Sequence, residues 1–328
     1  MSGVKCTNKL YLSFLLICLF VFTGCSSPKI ELAYSLNSNI SAFSVISNNI
    51  DTKTDAFAQA ICVGNVNKTE GTVVNMSKAG AAALFDINSR NIIYSKNLHQ
   101  RLQPASLTKV LTALVALEEG NPDDIIKVTA EAKVTESGAT LCGLEEGDTL
   151  TMNQALHALL ISSANDAANA IAIHLGGSID GFSVMMNEKA RQLGATNSNF
   201  VNPHGLSHDD HYTTVYDLYL IFNQAIQHEN FNEIIHMTEY QTEYQDRDGV
   251  VKEMDFSTTN LFLRGQYDSP NKVTVIGGKT GTTNAAGNCL ILLSKDTSGN
   301  PYISVILKSE ERAMLYEQMI DLLGEIYN

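Results

Sequence analysis

No cluster of Lys or Arg interrupts this chain. Its 22 basic residues are scattered among 35 acidic ones, for a formal charge of −13, and a phosphate backbone calls for a concentrated basic surface. No nucleic-acid partner is expected. The apolar run Leu10 to Phe22 falls short of the ~20 helical residues that span a bilayer. Cysteine is present without pattern. Cys6, Cys18 and Cys25 lie in the first 25 residues, while Cys62, Cys142 and Cys289 are odd in number and lack metal-ligand spacing. Neither a metal site nor a disulfide framework is expected from them, although one bridge among the three stays open. What remains is a 328-residue chain, 44% hydrophobic, long enough to bury a large core as one big domain or two modest ones.

Residues 1–25 read as a signal peptide. Lys5 and Lys9 form a basic start, Leu10 to Phe22 the apolar run, and Thr23-Gly24-Cys25 a small-residue cleavage site. Phe22-Thr23-Gly24-Cys25 also resembles a bacterial lipobox, in which the cysteine is lipidated and becomes the new N-terminus. That reading is preferred over ordinary cleavage and over a retained anchor, and all three put the protein outside the cytoplasm. Loss of Lys5 and Lys9 takes the formal charge from −13 to −15.

Residues 26–79 are rich in Ser, Asn and Thr and read as a polar tether, partly disordered, with a short ordered piece near Ala56 to Val63. The catalytic domain is expected over 80–328. Ala81 to Asp86 and Asn91 to Ser95 form a hairpin pattern around Ile87-Asn88-Ser89-Arg90. Ser106 to Glu119 repeats apolar residues at helical spacing up to Gly120. Helices are expected at Met152 to Ile161, Asp166 to Leu175, Gly181 to Leu193 and Val215 to Gln227. Strands follow at Val273 to Gly277, Thr280 to Thr283, Cys289 to Ser294 and Tyr302 to Leu307, with a last helix from Glu310 to Tyr327. Strands at both chain ends and helices between them predict a sheet assembled from both ends.

Three short strings carry the chemistry. Ser106-Leu107-Thr108-Lys109 places a hydroxyl and an amine one helical turn apart, at a helix start where free N–H groups and the dipole favour negative charge. A buried lysine loses its proton readily, because desolvation disfavours the charged form, and a neutral Lys109 can accept the Ser106 proton as attack begins. Ser163-Ala164-Asn165 breaks a helical stretch and offers a proton relay and a hydrogen bond to substrate or to Lys109. Lys279-Thr280-Gly281 reads as an edge strand able to pair with an extended peptide, with a cation and a hydroxyl for a carboxylate. Each string alone is weak, since Ser106 and Asn165 serve equally well as helix caps and Lys109 as a solvated residue. A phosphate loop around Lys279 is excluded, because the glycine it needs is Val273.

In this order the strings are the signature of penicillin-binding proteins and class A β-lactamases. Pro104 to Lys109, Ser163 to Ala168, Asn202-Pro203-His204-Gly205-Leu206 and Gly278 to Thr283 resemble the serine-type D-alanyl-D-alanine carboxypeptidases, the low-molecular-mass penicillin-binding proteins. The resemblance implies an α+β, β-lactamase/DD-peptidase-like fold: an antiparallel sheet from both chain ends, flanked by helices, with a helical subdomain inserted. It implies an acyl-enzyme on Ser106, Lys109 as base, and Ser163 and Asn165 as the second wall. Lys279 and Thr280 would hold the terminal carboxylate, with backbone N–H groups of Ser106 and Thr282 as the oxyanion hole. Implied partners are peptidoglycan stem peptides, β-lactam antibiotics as covalent inhibitors, and the membrane through a lipid on Cys25. No cofactor and no metal are implied.

Two departures and two rivals matter. Ala164 stands where the family often has glycine. The chain ends at Asn328, directly after the last helix, so the C-terminal β-domain and amphipathic anchor of many relatives are expected to be absent, with the lipid and tether in their place. Arg312 is a weak match to a family arginine near the carboxylate. A class A β-lactamase activates its deacylating water with a glutamate roughly 35 residues past the second motif, and 193–215 contains none; Glu188 lacks the expected neighbours. The other rival is a catalytically silent lipoprotein of this fold that binds wall peptide. His204, His208 and His211 lack a zinc framework, and Asp217 reads as structural.

Overall fold

The computed structural model describes residues 61–63 and 74–327. The leader, Cys25 and most of the tether lie outside them. Strands β1 (Ala79–Asp86) and β2 (Asn91–Lys96) form the expected hairpin. At the other end of the chain come β7 (Thr274–Thr283), β8 (Gly287–Lys295) and β9 (Pro301–Ser309). All five join one sheet of order β2-β1-β9-β8-β7, antiparallel throughout. Both chain ends therefore build it, and β7 is an edge.

Alternation within the strands gives the sheet two apolar faces. Ala81, Ala83, Phe85, Ile291, Val305 and Leu307 face a core shared with the central helices. Ala82, Leu84, Leu290, Leu292 and Ile306 face the last helix, α7 (Arg312–Gly324), which buries Leu315, Tyr316, Met319, Leu322 and Leu323 against them. At ~1.5–3 kcal/mol per fully buried large apolar side chain, that helix is fixed by its packing.

Between the strand groups run α1 (Thr108–Glu119), α2 (Met152–His157), α3 (Asn165–Gly176), α4 (Ile179–Gln192), α5 (Val215–Ala225) and α6 (Glu229–His236). Helix α1 is the centre of this region. Val110, Leu111, Leu114 and Val115 are buried as their spacing predicts, and Gly120 ends the helix, its N–H bonded to the Ala116 carbonyl. α2 is capped by a reciprocal Thr151–Gln154 pair.

The insertion is not purely helical. β3 (Ile125–Lys127), β4 (Thr149–Thr151), β5 (Glu239–Gln245) and β6 (Val251–Ser257) make a second antiparallel sheet, which the sequence reading did not anticipate. Two of its strands are three residues long, too short for periodicity to register. β7 is one bulged strand where two were expected, because Gly277 and Gly278 continue the ladder to β8. Cys62 is buried against the domain: its N–H bonds to the Tyr219 hydroxyl at 2.9 Å and its carbonyl accepts from Tyr216 at 2.8 Å. Cys62, Cys142 and Cys289 are all free thiols. No described helix is long and apolar enough to cross a membrane.

Candidate active site

Ser106 sits in a 3₁₀ turn, Ala105–Leu107, that leads into α1. One turn on, Lys109 is fully buried, and its Nζ has three partners: Ser106 Oγ at 3.0 Å, Asn165 Oδ1 at 2.6 Å and the His204 carbonyl at 2.8 Å. Burial holds its pKa well below the ordinary lysine value; the nearby Lys279 charge lowers it further, and Asp166 partly opposes both. A neutral amine has two hydrogens and one lone pair. In the neutral form Asn165 Oδ1 and the His204 carbonyl can take both hydrogens, which would leave the lone pair for the Ser106 hydroxyl.

The His204 carbonyl is placed by the loop 202–206, a family-like string to which the sequence alone assigns no task. Thr112, on the same face of α1 as Lys109, donates to the Pro203 carbonyl at 2.6 Å, and Asn202 Oδ1 accepts from the Gly205 N–H at 2.7 Å. Gly205 has φ +86, and a Cβ there would lie 1.9 Å from the Ala105 carbonyl oxygen. Only glycine fits.

The second wall is set by an unusual turn. After α2 the chain passes through a π-helical turn, Ala158–Ser162, and Ser163 then adopts a left-handed conformation, φ 66 and ψ 33. π-turns recur at functional sites, and this one delivers Ser163 to a buried position beside the start of α3. Ala164 has φ −63 and ψ 126, which asks for no glycine. Asn165 is fixed by its N–H bond to the Thr140 carbonyl at 2.8 Å. Asp166 accepts backbone N–H bonds from Cys142, Gly143 and Leu144 at 2.8–3.1 Å, which holds the 140–144 loop against this wall.

The third wall is the edge strand β7. Lys279 is 1% exposed and donates to the Thr280 carbonyl at 3.1 Å; burial brings its pKa down to about 7. Thr280 Oγ1 pairs with Thr259 Oγ1 at 2.5 Å, a partner sequence gave no sign of. A Cβ on Gly281 would lie 2.8 Å from the Ser106 nitrogen, so this glycine lets the strand close on the turn that carries Ser106. Thr282 follows, its hydroxyl bonded to Asn288 Oδ1 at 3.2 Å.

Ser106, Lys109 and Asn165 are thus directly bonded, and Lys279 acts on Lys109 through its charge. Neither Ser163 nor Thr282 hydrogen-bonds to Lys109 or Ser106. Arg312 is exposed at the first residue of α7, and Glu188 is exposed on α4. Asp217 is a structural residue, as expected, accepting from Ser198 Oγ and the Asn197 N–H. No cluster of metal-ligating side chains occurs among the described residues.

A buried lysine 3.0 Å from a serine, with a second buried lysine on an edge strand close enough to act on it through its charge, is the arrangement the motifs of the penicillin-binding class imply. The family model for D-alanyl-D-alanine carboxypeptidases matches residues 67–311, and the chain belongs to that family. It is 32% identical to D-alanyl-D-alanine carboxypeptidase DacF of Bacillus subtilis over 227 residues, 66% of this chain and 54% of the relative. It is likewise 32% identical to DacD of Escherichia coli, over 66% of this chain and 55% of that one. The match thus spans about half the length of these curated relatives. Among solved structures, a Streptomyces DD-transpeptidase superposes with a TM-score of 0.70 at 24% identity, over 76% of this chain and 97% of the other. A penicillin-binding protein homologue from Mycobacterium tuberculosis gives 0.68 at 27% identity, over 79% and 96%.

Proposed function

We propose that this chain is a serine-type D-Ala-D-Ala carboxypeptidase that trims peptidoglycan stem peptides. Neutral Lys109 takes the Ser106 proton, and Oγ attacks the carbonyl between the two D-alanines. The tetrahedral oxyanion meets the N–H groups of Ser106 and Thr282. Its collapse, with a proton delivered to the leaving amine, releases D-alanine and leaves an ester on Ser106, which water then cleaves. Ser163 relays the proton to the leaving group, while Lys279 and Thr280 hold the terminal carboxylate. Penicillins acylate the same serine. The observation that carries this reading is the trio of contacts on Lys109: two carbonyl oxygens able to take both hydrogens of a neutral amine, and the Ser106 hydroxyl at 3.0 Å to meet its lone pair.

The absence of a glutamate from 193–215 favours a peptidase over a β-lactamase. Membership of a D-alanyl-D-alanine carboxypeptidase family supports action outside the cytoplasm; residues 1–25 would direct export, Cys25 would carry a lipid, and the polar segment ahead of the buried Cys62 would tether the domain to the membrane's outer face. Mass spectrometry after incubation with a pentapeptide substrate tests the activity. Free D-alanine with a tetrapeptide is expected. A cross-linked dimer would mean transpeptidation, and no product from folded protein would favour the silent binder.

A further inference from the structure

The residue before the nucleophile is strained. Ala105 has φ +49, a left-handed conformation that costs an L-residue roughly 1–2 kcal/mol. Something must hold it there. Thr108 donates its hydroxyl hydrogen to the Ala105 carbonyl at 2.9 Å. Having spent its only hydrogen, that hydroxyl can only accept from its other neighbour, His211 Nε2, at 2.8 Å. The far side of the ring agrees, because Nδ1 accepts the Val201 N–H at 3.2 Å and the ring proton must therefore sit on Nε2. Both ends of the imidazole specify one tautomer. Burial, with a smaller contribution from His208, brings the His211 pKa down to about 4, so the ring is neutral at working pH. Its segment is anchored too, with Thr213 and Leu102 exchanging both backbone hydrogen bonds at 2.8 and 2.9 Å.

A planar trans peptide ties two directions together. The Ala105 carbonyl and the Ser106 N–H belong to one such unit and point opposite ways. The carbonyl lies against Gly205 and Thr108, while the Ser106 nitrogen lies against Gly281 on β7. Fixing the oxygen on one side fixes the N–H on the other.

We infer that Thr108 and His211 are positioning residues for the oxyanion hole: by pinning the Ala105 carbonyl they aim the Ser106 N–H into the cleft. This inference rests on the acyl-enzyme reading. Deleting an oxyanion-hole donor costs about 10²–10³ in rate; misaiming one should cost roughly 10- to 100-fold.

The test measures the acylation rate constant and the non-covalent affinity for a fluorescent penicillin, together with the unfolding midpoint. Thr108→Val and His211→Leu should acylate roughly 10- to 100-fold more slowly with non-covalent affinity within about twofold of wild type. Thr108→Ser and His211→Gln, which keep a hydroxyl and a donor, should recover most of the rate. A merely structural role would not separate rate from affinity in folded protein or discriminate valine from serine. If Thr108→Val does not fold, the His211 pair carries the comparison. Folded Thr108→Val or His211→Leu reacting at the wild-type rate, or Thr108→Ser as slow as Thr108→Val, would overturn the inference while leaving the acyl-enzyme intact. Wild type that takes no label would overturn the acyl-enzyme reading, and this inference with it.

Discussion

Lys109 and Lys279 are both sealed from solvent and close enough for the charge of one to act on the other, yet their surroundings differ. Lys109, on helix α1, has three hydrogen-bond partners from three parts of the chain. Lys279, on strand β7, has one among the described residues, the carbonyl of its own neighbour. The first lysine is fully satisfied by the protein, as would suit the base proposed to take a proton, pass it on and stay in place. The second keeps donor capacity unspent. An uncompensated buried ammonium is costly, and under the proposed function a substrate carboxylate would supply the missing partner. Burial lowers both pKa values, and the difference in partners is what supports giving them different tasks in the proposed function.

The largest effect that would break this comparison comes from Lys109→Ala. Loss of the base should lower the acylation rate ~10³-fold, within the usual range for general-base catalysis, with circular dichroism unchanged; normal acylation would refute the assignment. Next, Lys279→Ala should lower kcat/KM for a carboxylate-bearing peptide ~10- to 100-fold, mostly through KM, as expected for one charge-assisted bond. A C-terminally amidated peptide should be equally poor for wild type and mutant. If the two enzymes differ on the amide as much as on the acid, Lys279 does not read the carboxylate.

Titration sharpens the contrast. Free-enzyme ionisations govern kcat/KM, and Lys279 must be charged to hold a carboxylate. An alkaline fall in kcat/KM should therefore begin near its pKa of about 7 and vanish for the amidated peptide. A profile flat to pH 9 would contradict it. The smallest effect is on stability. Lys279 has a lowered folded pKa, so the folded state binds fewer protons than the unfolded state between about 7 and 10.5, and stability rises with pH in that window. The cost of its charge is fully present below about pH 7. Lys279→Met should therefore raise the melting temperature most at pH 6, on a scale of ~2–4 °C per kcal/mol recovered, and the gain should shrink toward pH 10. A lower melting temperature at pH 6 would show that its charge is already compensated.

The five-stranded sheet and the long helices were legible in the sequence because their apolar residues recur with a clean period over many residues. The second sheet was not. β5 and β6 do alternate, with Tyr240, Thr242 and Tyr244 on one side of β5 and Met254 and Phe256 buried on β6, and Asp248-Gly249 between them is a hairpin signal. Charged residues at the alternate positions masked the pattern. Within the candidate site, the motifs named the side chains proposed to react but not what holds them. The His204 carbonyl, Thr140, Thr259 and the Thr108–His211 pair act through backbone groups or across long sequence separations, and no local spacing encodes such contacts. The strain at Ala105 has no sequence signature either, because alanine is not the residue that advertises a positive φ.

The central claim is that Lys109 activates Ser106 as a covalent nucleophile, and intact-mass spectrometry with a penicillin tests it most directly. The account predicts one adduct per chain in wild type, mapped by proteolysis to the peptide containing Ser106, and none in Ser106→Ala. No adduct on folded wild type, or an adduct that persists in Ser106→Ala, would contradict it.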